Sequence, residues 1–200
     1  MKLNAYTLSE VLITLGIIGV ISAITIPAVI AEFQHQQYLT SLKKAYSILQ
    51  QAENNIFVDY GMNSVYLCNQ NDSYCLGDIY KEYLKALSVE KYIPSTNAKM
   101  CSFVASNLPE KHYCIVSADG IIYDFDMEYS TDTIHNAKVV VDINGTKKPN
   151  VYGKDIYMFE IDNNKIVPYY RNNLGCKRGD GISNQNYNCA HEYLTKNSAK

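Results

Sequence analysis

The sequence has no tryptophan and no surplus of basic charge. Its 200 residues hold 18 lysines and arginines against 20 aspartates and glutamates, a net charge of -2. The basic residues are scattered among acids, which excludes a nucleic-acid surface built on excess positive charge. Without tryptophan, the large amphipathic packing role falls to the 18 tyrosines, which occupy both helical and strand-like stretches. Catalytic signatures are missing as well. There is no Gly-x-Ser-x-Gly, P-loop, His-Glu-x-x-His or Gly-x-Gly-x-x-Gly. His35, His112, His135 and His191 are dispersed and read as surface or interface residues. Asp124 and Asp126 stand at strand spacing on one face, a pattern as common in solvated strands as in active sites. No enzyme is expected.

Charge is absent from Val11 to Ala31 (VLITLGIIGVISAITIPAVIA). Roughly twenty apolar or small residues, each rising about 1.5 Å in a helix, cover the ~30 Å hydrocarbon core of a bilayer. Only Lys2 is charged ahead of Glu10, and Glu10 stands at the threshold of the run. An unpaired carboxylate held toward the bilayer interior costs several kcal/mol, from about 2.5 upward. A plain signal anchor has no need of an acid there, and a secretory signal shows more basic residues and a shorter apolar run. Glu10 therefore calls for a partner.

The order Ala5, Tyr6, Thr7, Leu8, Ser9, Glu10, followed by an apolar helix containing Pro27, resembles the start of type IV pilins and type II secretion pseudopilins. Ala5 and Tyr6 stand where that family most often has glycine and phenylalanine. The resemblance implies that a prepilin peptidase cuts between Ala5 and Tyr6, that Tyr6 is then N-methylated, and that Pro27 is the helix-interrupting proline. It also supplies the partner for Glu10, the new amino group of Tyr6 on a neighbouring subunit. At 4 Å such a pair is attracted by ~4 kcal/mol at an effective dielectric of ~20, which offsets much of the burial cost.

No cysteine precedes Cys68, so all six lie in the part that this orientation places outside the cytoplasm. An even count there favours disulfides, and the sequential pairs Cys68–Cys75, Cys101–Cys114 and Cys176–Cys189 are expected. A bridge closing about a dozen residues contributes ~3 kcal/mol on the chain-entropy model. Zinc is the competing reading, since His112 precedes Cys114 and His191 follows Cys189, but the spacings fit no zinc signature.

Periodicity predicts a helix from Tyr6 to about Asp59, on the order of 80 Å at 1.5 Å per residue. Past the apolar run, Tyr38, Leu42, Ala45, Leu49, Ala52 and Ile56 form one stripe, with Lys43, Lys44, Gln50, Gln51 and Glu53 placed mostly elsewhere. Pro27 predicts a kink or local opening near Ala23–Pro27, while Gly16, Gly19 and Ala23 suit close helix approach. Asp78 is expected to cap a second helix whose buried face runs from Ile79 to Leu87. Strand patterns follow at 113–118, 121–126, 137–143, 155–161 and 165–170, with Asp119–Gly120 a hairpin signal. About four antiparallel strands packed on the helix make an α+β, pilin-like fold. A loop pinned by Cys176–Cys189 and one helical turn at 190–194 complete it.

A second, weaker resemblance lies at Val141–Phe159 (VDINGTKKPNVYGKDIYMF), which looks like an Asp-x-Asn-Gly … Pro-Asn … Gly-x-Asp segment of many pseudopilin-like proteins. Positive-φ positions at Asn144–Gly145 and Gly153, with Pro149 stiffening the excursion, account for it as turn architecture. The functional alternative is calcium on Asp142, Asn144 and Asp155, though neither the EF-hand order nor its closing glutamate is present.

The expected organisation is a leader (1–5), a membrane and assembly half-helix (6–31), an amphipathic half-helix (32–60) and a disulfide-bonded head (61–200). The implied partners are like or related pilin subunits, the prepilin peptidase, an inner-membrane assembly platform, and lipid before assembly. The implied location is the bacterial inner membrane, with a single pass and an external head, then a periplasmic or extracellular filament. A different class remains open, an anchored adhesive module binding a host surface, a secreted protein or DNA through the Gly179–Tyr187 loop. Mass analysis of protein from cells is expected to find a chain beginning at methylated Tyr6; an intact Met1 at every growth stage contradicts the processing.

Overall fold

The computed structural model describes residues 7–69, 72–92, 111–128, 136–162, 164–171, 175–177 and 187–196. The chain divides into two compact units, residues 1–37 and 38–200. Helix α1 is Leu8–Tyr60. In the first unit its apolar side chains are exposed, Leu12, Ile18, Ile24 and Val29 among them. It is long and apolar enough to cross a membrane, with a mean hydropathy of 2.4 over its most apolar 18 residues and none of that window buried. The expected opening at Ala23–Pro27 does not occur, and α1 runs unbroken through Pro27. The missing N–H removes one rung, and the turns on either side keep theirs.

In the second unit, Leu42, Ala45, Leu49, Ala52 and Ile56 are buried, each at 2% exposure or less. They pack on an antiparallel sheet in simple sequential order. Its strands are β1 (Ala86–Tyr92), β2 (His112–Ser117), β3 (Ile122–Glu128), β4 (Asn136–Asp142), β5 (Ile156–Asp162) and β6 (Lys165–Pro168). Alternation sends Tyr113, Ile115, Tyr123, Phe125, Val139, Val141, Tyr157 and Phe159 into the core shared with α1. Tyr46 of α1 stacks on Phe159, ring centroids 5.8 Å apart. The other face carries His112, Asp124, Val140 and Met158, also buried.

The sheet has six strands where about four were expected, and β1, which no sequence pattern announced, corrects the reading of the second helix. Helix α2 is Ser73–Tyr83, capped by Asp72, whose side chain accepts from Cys75 N at 3.1 Å. Asp78 lies inside it, accepts from Tyr113 Oη at 2.9 Å and pairs with Lys91 at 2.7 Å. Lys85 takes a left-handed φ of 51°, and the chain reverses into β1. Leu87, expected on the helix's buried face, is 72% exposed on that strand. A short apolar stretch fits either period, and the edge pairing to β2 decided it.

Glu53 also departs from expectation. It is fully buried beside the α1 stripe, where it accepts from Tyr80 Oη at 2.5 Å and Ser64 N at 3.1 Å. Those two bonds tie α1 to the turn after it and to α2. Burial and the Glu53 carboxylate together hold the Tyr80 hydroxyl well above its ordinary pKa.

Hairpin signals matched local geometry. Gly120 has φ 81° in the β2–β3 turn, and Asn164 has φ 62° between β5 and β6. Cys68–Cys75 and Cys176–Cys189 are disulfides, and Cys189 begins helix α3 (Cys189–Lys196). Cys114 is disulfide-bonded too, and its predicted partner Cys101 lies outside the described residues. Helix α2 lies so close to β2 that a Cβ added at Gly77 would sit 2.0 Å from Tyr113 Cγ. Gly77→Ala is therefore expected to lose about 1–3 kcal/mol to overpacking, despite a gain of ~1 kcal/mol in helix propensity. Urea denaturation of the detergent-solubilised chain measures it; equal or greater stability would refute the close packing.

Candidate functional site

At the start of α1 the chain builds a reciprocal cap. Thr7 N and Thr7 Oγ1 both donate to Glu10 Oε2 at 2.8 Å, and Glu10 N donates to Thr7 Oγ1 at 3.3 Å. This is a capping box, in which two otherwise orphaned helix donors find acceptors within the first turn. Sequence reasoning gave Glu10 a partner only in another molecule and passed over Thr7. The signal was present, because Thr-x-x-Glu ahead of an apolar run is the capping-box pattern. Ala5 and Tyr6 lie outside the described residues. Pro27 is within α1, with Thr25 Oγ1 donating to Ile21 O at 3.0 Å in the preceding turns.

The excursion from β4 to β5 is organised by one carboxylate. Asp155 Oδ2 accepts from Asn150 N at 2.8 Å and from Asn144 Nδ2 at 3.0 Å, and Asp155 Oδ1 accepts from Val151 N at 2.6 Å. Asp142 Oδ1 accepts from Asn144 N at 3.1 Å. Gly145, Asn150 and Gly153 adopt φ of 70°, 51° and 78°, which lets the loop fold back on Asp155. An added Cβ at Gly145 would lie 2.6 Å from Gly120 O, so the loop also seats against the β2–β3 turn. Asp142 and Asp155 are both fully buried. Burial pushes the Asp142 carboxyl up to about 8; backbone N–H donors from Asn144 and Gly145 oppose that, and the Asp155 charge adds to it. The structure thus brings Asp142, Asn144 and Asp155 into one bonded network. It adds Asn150, which sequence reasoning missed because a lone Asn after proline carries no ligand signal.

On the sheet face away from α1, His112 Nδ1 and Asp124 Oδ2 are 2.9 Å apart, and Tyr92 stacks on His112 with ring centroids 5.3 Å apart. At 2% and 0% side-chain exposure, the pair belongs to the packing of the sheet, and His112 is not the surface residue expected. Burial raises the Asp124 carboxyl, against the opposing effect of His112. His191 stacks on Tyr170 at 4.2 Å, and His135 lies outside the described residues. Cys114 and Cys189, the thiols of the zinc alternative, are both in disulfides. Among the described residues, no three His, Cys, Asp or Glu side chains group as metal ligands.

No family model matches the chain, and no curated protein or solved structure is significantly similar to it.

Two backbone amides depend on Asp155, and hydrogen bonds to a charged acceptor contribute about 1.5–3 kcal/mol each. Asp155→Ala is expected to cost about 3 kcal/mol or more in thermal unfolding, with Asp155→Asn recovering part of it. A loss below ~1 kcal/mol would show that the loop holds its shape by other means.

Proposed function

We propose that the chain is a structural subunit of a type IV pilus or a type II secretion pseudopilus. It is cut after Ala5 by a prepilin peptidase, methylated on the Tyr6 amine and assembled through its N-terminal helix. One observation carries the reading, an apolar half-helix with no buried side chains that opens on a single carboxylate. Such a surface is stable only in lipid or against other apolar helices. The two environments correspond to a subunit waiting in the inner membrane and a subunit in a filament. The disulfides of the second unit suit an oxidising compartment outside the cytoplasm.

The capping box gives the assembly step a chemical sequence. In lipid, Thr7 keeps the Glu10 carboxylate hydrogen-bonded within its own chain, which lowers the cost of holding an acid at that depth. Both Thr7 bonds use Oε2, so Oε1 is left to receive the Tyr6 ammonium of the next subunit. The added Coulomb attraction of about 4 kcal/mol makes the filament contact preferred to the lipid-dispersed one. The work of extraction is supplied by a separate ATP-driven assembly platform, and this chain contributes no catalysis.

Glu10→Ala is expected to leave the precursor membrane-bound and to cut incorporation into sheared filaments by more than about tenfold, since ~1.4 kcal/mol of lost contact already gives that factor. Thr7→Val, which keeps the acid and removes its hydroxyl donor, is expected to retain partial incorporation. Normal filament yield from Glu10→Ala in quantitative blots would refute the proposal.

A further inference from the structure

We propose that the end of the second unit where α1 enters it carries a lysine patch that docks on anionic phospholipid headgroups. The residues are Lys43, Lys44, Lys147 and Lys148, far apart in sequence and gathered by the fold. Strands β2 and β3 are joined by residues 118–121, and β4 and β5 by residues 143–155. The registers Val116↔Ile122, Ile122↔Asp142 and Asp142↔Ile156 place both connections at one end of the sheet. Lys44 of α1 pairs with Asp119 in the first connection at 2.8 Å. The second connection seats on the first, since an added Cβ at Gly145 would lie 2.6 Å from Gly120 O. Farther along α1, Gln50 Oε1 accepts from Ile166 N at 3.0 Å, beside the β5–β6 hairpin at the opposite end. The helix thus comes in past the two basic connections and runs toward the other end of the sheet.

The patch shows its bases and hides its acids. Lys43, Lys44, Lys147 and Lys148 are all exposed. Among the described residues, Lys44 alone of the four has an ion-pair partner. Asp142 and Asp155 are buried beneath the loop. Asp155 is engaged by two backbone amides and by Asn144. Burial pushes the Asp142 carboxyl up to about 8, which leaves most of it uncharged at neutral pH. A chain with a net charge of -2 therefore turns a positive end outward here.

Position and chemistry select lipid as the partner. The second unit begins at Tyr38, and Lys43 and Lys44 stand in its first turns. They follow the uncharged run Val11–Ala31 by a few helical turns, with Glu32 the only acid between. Headgroups are the anionic groups that a chain anchored by that run meets first. All four bases are lysines, compact point charges without the planar fork by which arginine grips one phosphate. Lys147 and Lys148 lie on an exposed stretch of loop, which suits a diffuse anionic surface better than a single bound anion. Each lysine near such a surface adds its own attraction, felt within a Debye length of about 8–10 Å. This inference rests on the membrane placement of α1 in the proposed function and is independent of filament assembly.

The test uses the full chain reconstituted in lipid nanodiscs. One set is phosphatidylcholine alone, the other an equal mixture of phosphatidylcholine and phosphatidylglycerol. Acetylation by an uncharged reagent is followed lysine by lysine with mass spectrometry. In the anionic discs Lys43, Lys147 and Lys148 are expected to react at least about threefold more slowly, since one lysine near an anionic leaflet already gives about a fivefold preference. Lys165, exposed at the opposite end of the sheet, is expected to react equally in both sets. Salt at ~0.5 M, where the Debye length is about 4 Å, is expected to remove the difference. Lys147→Glu combined with Lys148→Glu is expected to leave Tm unchanged and to return Lys43 to its rate in neutral discs. A chain that enters neither kind of disc refutes the membrane placement and this inference with it. A chain that enters both, with equal rates at Lys43, Lys147 and Lys148, overturns this inference alone. Equal protection in neutral discs by inorganic phosphate or a short DNA duplex would overturn the assignment to lipid.

Discussion

The structure depends on one mutual requirement, that the stripe Leu42–Ala45–Leu49–Ala52–Ile56 and the inner face of the sheet cover each other. Each of the larger stripe residues contributes about 1.5–3 kcal/mol when removed from water. The sheet offers Tyr123, Phe125, Val139 and Phe159 in return. Neither surface is stable alone, because an amphipathic helix without a partner frays and a one-sided sheet exposes its core. Glu53 is buried beside this contact, and its bonds to Tyr80 and Ser64 fix where the chain goes on leaving α1. The Cys68–Cys75 bridge then holds that turn to the start of α2.

A second organising centre lies between β4 and β5, where Asp155 gathers their connecting loop. Two backbone amides and one side-chain amide converge on its carboxylate. The loop is joined to the C-terminal segment through Tyr193, which also packs edge-on against Tyr157. Cys176–Cys189 and the paired bonds between Asn188 and Arg171 close that segment. Polar bonds thus tie the loop to the C-terminal helix, and Cys189 and Ala190 of that helix also belong to the apolar core that covers the α1 stripe.

Helix α1 changes character along its length. Over the first unit its side chains are apolar and uncovered, while in the second the apolar positions narrow to a stripe and the rest turn polar. That change of pattern separates a half apolar enough to cross a membrane from a half that belongs to a folded domain. Thr7 and Glu10 stand at the beginning of the uncovered half, where the Thr7 backbone N–H and hydroxyl both donate to the Glu10 carboxylate.

Much of this was legible in the residue order. The apolar run, the stripe, the hairpin at Asp119–Gly120 and the positive-φ glycines follow from rules that act over a few residues, where periodicity and backbone sterics are decisive. Two of the cysteine pairs followed from proximity in the chain. Other features were decided only in three dimensions. Strand β1 was hidden because a seven-residue stretch carries too weak a period to outweigh the helix before it, and its pairing with β2 settled the matter. Glu53 and His112 looked like surface residues because burial of a polar group depends on partners distant in sequence, Tyr80 and Asp124 respectively. In the β4–β5 loop the composition announced oxygen atoms, but which of them are satisfied and which are left open was decided by how the loop folds around Asp155.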